Sequence, residues 1–158
     1  MIDPITSKYD VALNPARGYA SITFLYENAT ALRSTGKPCF IYHLGDSDPS
    51  GENAAEVIER ELRAYAPDTE IHFERLAVTE QQISDWDLPT RPTKKSDSRA
   101  AAYGDRDSVE LDSIDPRRLR KLVEDAINRH MSKKLYAKLM KQEQAEQDEI
   151  RELVNQIS

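Results

Sequence analysis

The feature that most constrains this chain is the apolar run CFIYHL, Cys39 to Leu44, followed at once by GDSDPSG and then by a helical repeat. A continuous apolar stretch bounded by turn formers reads as a strand buried on both faces. Strands of that kind belong to parallel sheets, because crossover helices cover both sides. The spacing after the loop predicts a helix over 52–65, with Ala54, Ile58, Leu62 and Tyr65 on one face. Pro67 and Asp68 turn the chain. Residues 69–76 then alternate: Ile71 and Phe73 face one way, His72 and Glu74 the other, as in a strand with one better-buried face. Strand, helix and strand in that order predict an α/β fold with a mainly parallel sheet, whose ligands bind at the carboxyl ends of the strands.

The flanking segments extend this plan. Val11, Ala12 and Leu13 predict a short strand, broken by Asn14, Pro15 and Gly18. Ser21 caps a helix in which Ile22, Leu25, Ala29 and Leu32 recur, and Gly36 and Pro38 end it. Thr79 with Gln82 makes a capping box before a short helix. Val109 and Leu111 suggest another strand. Asp115 and Pro116 open a helix that runs to His130, with Leu119, Leu122, Val123, Ala126 and Ile127 on one stripe. Residues 1–130 are thus expected to form the α/β domain and 131–158 a helical extension. In that extension Leu135, Leu139, Ile150, Leu153 and Ile157 are apolar around a polar middle over 142–149. A helix patterned this way is exposed, or pairs with another chain as a homodimer. Residues 87–107 hold Pro89, Arg91, Pro92, KKSDSR and Gly104, and a loop this long is functional or disordered.

The net charge of −6 means that the overall field does not draw nucleic acid, so any such binding needs a local basic patch. Cys39 is the single cysteine, which excludes an internal disulfide and reads as a buried, inert thiol. No apolar run approaches the ~20 residues of a membrane helix, and MIDPITSKYD lacks a signal-peptide apolar region. A cytoplasmic protein without membrane contact is expected.

The chemistry concentrates in the loop. Asp46 and Asp48 are two residues apart as the chain leaves a buried strand. Mg²⁺ (or Mn²⁺) takes hard oxygen ligands and commonly one or two protein carboxylates, with water or phosphate completing the shell. Two carboxylates held close repel, and a cation removes the repulsion. Pro49 stiffens the loop, Ser50 is placed to cap the helix, and Gly51 permits a tight turn. The positive end of the helix favours a phosphate. The same residues also read as an ordinary solvated turn, and a D-x-D spacing by itself does not decide between the two.

The fuller string LGDSDPSG, after an apolar strand and before an amphipathic helix, resembles the DxDPxG motif of the Toprim domain in the DNA-cleaving component of topoisomerase VI and in the related meiotic double-strand-break proteins. ARGYASITFL resembles the glycine-containing lead into the preceding helix of that family. FERLAVTEQQISDWDLP resembles its strand followed by a T-x-x-Q-I segment ending in LP. The stretch from TKKSDSRAAAYGD through VELDSIDPRRLRKLVEDAI is similar to prokaryotic and phage Toprim-like proteins of the same branch. Together the likeness covers roughly residues 9–130. It implies a Rossmann-like fold, Mg²⁺-dependent work on nucleic-acid phosphodiesters (DNA above all), and Asp46 and Asp48 as the DxD metal ligands.

Two departures from the family pattern matter. Such domains open with a strand ending in a Glu that serves as metal ligand and acid or base, and no such strand precedes Val11; Glu27, inside a helix, is a poor substitute. Relatives that cut DNA use a Tyr on a separate winged-helix domain, whereas the tyrosines here have simpler structural readings. The expectation is an N-terminally incomplete domain that binds metal weakly, is inactive alone and has no assigned catalytic residue.

Other candidates have two readings each. Lys94, Lys95 and Arg99, with Arg91 nearby, form the main basic cluster, as phosphate contacts or as a solvated loop. Arg17, beside Gly18, and Ser50 are further phosphate candidates. Glu110 and Asp112 are either extra acids near the metal or exposed side chains. His43 reads as a satisfied core histidine, and His72 and His130 have no partner motif. Two other function classes stay open. One is a non-catalytic binding or assembly module built on the terminal helix. The other is a small-substrate phosphate-processing enzyme. Its receiver-like version needs a Lys at the end of a later strand, which Leu76-Ala77-Val78 and Val109-Glu110-Leu111 lack.

Overall fold

Most helices begin where the sequence supplies a cap. A computed structural model describes residues 1–16, 20–93 and 103–157. In it α1 spans Asp3–Lys8, α2 Ile22–Thr35, β1 Cys39–Leu44, α3 Pro49–Tyr65, β2 Ile71–Ala77, α4 Glu80–Asp85, α5 Pro116–Asn128 and α6 Lys133–Ile157. A single 3-10 turn covers Leu111–Ser113. The Ser21 hydroxyl accepts the Phe24 N–H at the start of α2, and Gly36 closes that helix in the left-handed conformation. Thr79 and Gln82 form both hydrogen bonds of a capping box. Asp115 accepts the N–H groups of Arg117 and Arg118, with Pro116 next in line.

The two strands pair in parallel from Cys39 opposite Ile71 to Leu44 opposite Ala77, with a register shift after His43. The chain is therefore α/β, with a small two-stranded parallel sheet. Period-two alternation divides its faces. Ile41 and Ile71 pack beneath α2 and α3 with Leu25, Ala29 and Leu62. Tyr42, Leu44 and Leu76 pack on the other side against Val123, Ala126 and Ile127 of α5 and Ile2 and Ile5 around α1. A third cluster closes the carboxyl end of the sheet: Ala77, Val78, Leu88, Val109, Ile114 and Leu119. Cys39 is buried, as its place in the apolar run predicts.

Several boundaries differ from the sequence expectation for identifiable reasons. α3 starts at Pro49 rather than at 52, because Asp48 and not Ser50 is its N-cap. Residues 11–13 are not a strand. Asp10 adopts a left-handed φ of 51°, the Val11 N–H returns to the Thr6 carbonyl at 2.9 Å, and Val11 and Leu13 lie exposed. They serve as the winding-down of α1, a helix whose six residues carry no readable period. Val109 does not lead a strand either. It forms one antiparallel bridge with Ser47, and the chain then enters the 3-10 turn.

Leu119 ties α5 to the cluster at the sheet's carboxyl end and is buried. Truncating such a side chain loses its transfer energy and leaves a cavity. Leu119→Ala is expected to lower stability by about 2–4 kcal/mol, read as a shift of the urea midpoint with an unchanged slope.

Candidate functional site

The loop after β1 is set by backbone first. The Gly45 N–H bonds to the Ala77 carbonyl at 2.8 Å, and the Val78 N–H returns to Gly45 at 2.8 Å, so the loop leaves directly from the sheet. Ser47 and Val109 exchange both backbone hydrogen bonds, at 2.8 and 2.9 Å. Asp48 sits in extended backbone, and its Oδ1 accepts the Gly51 N–H at 2.6 Å. Asp46 Oδ1 accepts the Leu111 N–H at 2.8 Å across the loop. Each of the two predicted metal ligands thus engages one oxygen with a backbone donor, and each carboxylate carries a second oxygen.

Gly51 is required for a reason the sequence does not reveal. It lies in the first turn of α3, and a Cβ there would stand 2.2 Å from the Asp46 carbonyl oxygen. The glycine allows close approach of two backbones, not an unusual turn. Gly45 has a milder role: a Cβ there would meet the His43 ring at 2.7 Å.

Arg75 binds the whole loop from below. Its guanidinium is half-buried at the carboxyl end of β2 and donates to the carbonyls of Val78 at 3.2 Å, Gly51 at 3.0 Å and Gly45 at 3.3 Å, and also to that of Asp46. Burial pulls its pKa down, and the negative charges of Glu52, Asp48 and Asp46 oppose the shift. A second arginine clamps the outer side. Arg106 forms a two-pronged pair with Glu52, at 2.9 and 3.1 Å, and reaches Glu80 at 2.7 Å. Its guanidinium lies 3.9 Å from the Tyr103 ring centroid. Tyr103 is buried and donates to the Ser47 and Asp107 carbonyls at 2.9 and 3.1 Å. Neither arginine is a candidate from the sequence, although alternation along β2 places Arg75 on the same, better-buried face as Ile71 and Phe73. An arginine there demands partners. Arg106 gives no local signal, since Glu52 is 54 positions away.

The remaining candidates separate. Glu110 pairs with Arg91, so neither is an independent group. Asp112 is exposed in the 3-10 turn. Arg17, Lys94, Lys95 and Arg99 lie outside the described residues. Ser50 is in the first turn of α3, without the capping role expected of it. Among the described residues no group of three or more His, Cys, Asp or Glu side chains is arranged to hold a metal. His43 faces Phe73, with ring centroids 6.1 Å apart. It is a core histidine as expected but not a satisfied one: its buried Nδ1 has no hydrogen-bond partner among the described residues. Burial, followed by the nearby Arg75 charge, pushes its pKa down to about 4. His72 and His130, unconnected in the sequence, flank Phe40 at 4.6 and 3.8 Å between ring centroids. Tyr42 Oη meets His130 Nε2 at 2.5 Å.

Two outcomes are expected from this geometry. Gly51→Ala should cost about 1–3 kcal/mol through forced displacement of the Asp46 carbonyl, with loss of the amide signals of 45–51 from their native positions in NMR. His43 stays neutral in the folded chain down to about pH 4, whereas the unfolded chain protonates it near 6.5. Stability should therefore fall as pH drops through that window, by at most ~3 kcal/mol given the partial access of the ring. Denaturant titrations of His43→Leu should show a shallower fall over the same range. No family model, curated protein or solved structure matches the chain.

Proposed function

We propose that this chain is a Toprim-type domain that binds Mg²⁺ through Asp46 and Asp48 and, with it, a phosphodiester of a nucleic acid, DNA in the first instance. The observation that carries the reading is that Asp46 and Asp48 follow the carboxyl end of a parallel strand, with Asp48 capping α3 and the Asp46 backbone against the first turn of that helix. That is where ligands of parallel α/β sheets bind and where a helix end favours phosphate oxygens. The residues fit the ion. Both donors are hard oxygens, and Mg²⁺ commonly takes one or two carboxylates and completes its shell with water and phosphate. Bound there, the ion would neutralise charge on the phosphate. The chain's own part is to hold the two carboxylates in place: Arg75 fixes the carbonyls of Gly45, Asp46 and Gly51, while Leu111 and Gly51 fix one oxygen of each aspartate. Two carboxylates imply weak binding without the phosphate. The reading assigns metal-dependent phosphate binding to these residues and no bond-breaking step.

Asparagine separates this role from the structural one. It keeps a carbonyl oxygen for the Leu111 and Gly51 N–H groups and is itself a good N-cap, but it removes the charge. Calorimetric titration of Mn²⁺ or Mg²⁺ is expected to give binding to the native chain and at least ten-fold weaker binding to Asp46→Asn/Asp48→Asn, at nearly equal thermal stability. Fluorescence anisotropy of a labelled duplex should rise with the native chain only when the metal is present. Equal metal affinity in the two proteins would sink the proposal.

A further inference from the structure

The 25 residues of α6 make a rod about 37 Å long. Its anchorage to the rest of the fold is at its start. The Tyr136 ring lies 5.2 Å from that of Tyr9, and its hydroxyl donates to the Lys8 carbonyl at 3.2 Å. Along the rod, Leu135, Leu139, Ile150 and Leu153 are 68%, 58%, 61% and 52% exposed. At about 100° per residue these four fall within ~60° of one another. Gln142 and Glu146 complete the same line between the two apolar pairs. The hydrogen bonds from Gln144 and Arg151 to Asp148 run along the opposite face.

The charges of α6 are arranged against its own dipole. Lys133, Lys134, Lys138 and Lys141 occupy the first half with Glu143 as the one acid, while Glu146, Asp148, Glu149 and Glu152 occupy the second with Arg151 as the one base. The first turn has no acid and the last turn no base. An isolated helix prefers the reverse. A partner running the other way corrects this, because it sets a basic half beside an acidic half at both ends.

We propose that α6 pairs with α6 of a second copy of this chain in antiparallel orientation, in the register that sets Leu135 opposite Leu153 and Gln142 opposite Glu146, with Ile150 of the second copy one residue (about 1.5 Å) from the level of Leu139. The two-fold axis then passes beside Gln144. Each apolar pair of one helix covers the other apolar pair of its partner, and the polar centre is matched by an amide donor against a carboxylate. Lys138 comes beside Glu152 of the second copy, the flanking opposite-charge contact that sets orientation in paired helices. A parallel pair would also stack leucine on leucine, but it would set Glu146 against Glu146 and the lysine-rich halves together, which is repulsive. The interface stands independently of the metal site, and either can fail without the other.

Sedimentation velocity on the full chain at micromolar concentration is expected to show a dimer. Leu139→Asp and Leu153→Asp should each give a monomer whose denaturation midpoint matches that of the native chain's core, since both positions are exposed. Orientation is read by disulfide formation in a Cys39→Ser background, where serine can keep the donation to the Lys37 carbonyl made by Sγ at 3.3 Å. Leu135→Cys and Leu153→Cys should each remain uncrosslinked alone and form a covalent dimer when mixed in equal amounts. A monomeric native chain, aspartate variants that stay dimeric, or covalent dimers from either cysteine variant alone would each overturn the proposal.

Discussion

The guanidinium of Arg75 is the interaction on which the rest of the candidate site depends. It stands at the end of β2 and holds carbonyls from the end of β1, the loop, the first turn of α3 and the residue after β2 itself. The Gly45 carbonyl already accepts the Val78 N–H, so Arg75 adds a second donor there and reaches past the end of the ladder to the Asp46 and Gly51 carbonyls. A charged donor extends the bonding beyond the last backbone pair, and charge-assisted hydrogen bonds are the stronger kind. Without it these carbonyls would lose a charged donor beneath a loop that also carries two negative side chains.

This arrangement makes the acidic loop electrically self-consistent before any cation arrives. Glu52 is matched by Arg106, and Asp46 and Asp48 sit in the field of Arg75. The outer layer built by Tyr103, Ser47 and Arg106 closes the same region from the other side, linking residues 103–109 to the loop and to α4. Among the described residues, the Leu111 and Gly51 N–H groups each hold one oxygen of Asp46 and Asp48. For the proposed cation such ordering would lower the cost of binding.

Much of this is legible in the sequence, and the illegible part has a common cause. The strands, α2, the α4 capping box and α5 follow from period and caps, which are local properties. The start of α3 is harder to place because DSDPSG offers two capping side chains. Pro49 is suited to the first helical position, so the cap falls on Asp48. Residues 11–13 look like a strand from composition alone, yet a strand needs a neighbour and none is there among the described residues. Gly51 reads as necessary in the sequence but for a different reason: its neighbour is a backbone oxygen five residues earlier, not a strained φ. Arg106 and Tyr103 act over long separations, and no local pattern encodes a contact of that kind. The basic candidates Arg17, Lys94, Lys95 and Arg99 lie outside the described residues, so the proposed phosphate contact is argued from the loop and the helix end alone.

The structural duties of Asp46 and Asp48 do not weigh against a metal-binding role. A carboxylate that only caps a helix is replaceable by serine, threonine or asparagine at small cost. A carboxylate that only accepts one N–H is replaceable by asparagine. What neither duty explains is why two negative charges two residues apart act on the same half-buried arginine, with Gly51 keeping the helix end close against the Asp46 carbonyl. One oxygen of each aspartate fixes its orientation, in the way that outer-shell hydrogen bonds orient metal ligands. Clamping one oxygen to the backbone limits where the second can lie, which is what the proposed Mg²⁺, with its strict octahedral preferences, would require of Asp46 and Asp48.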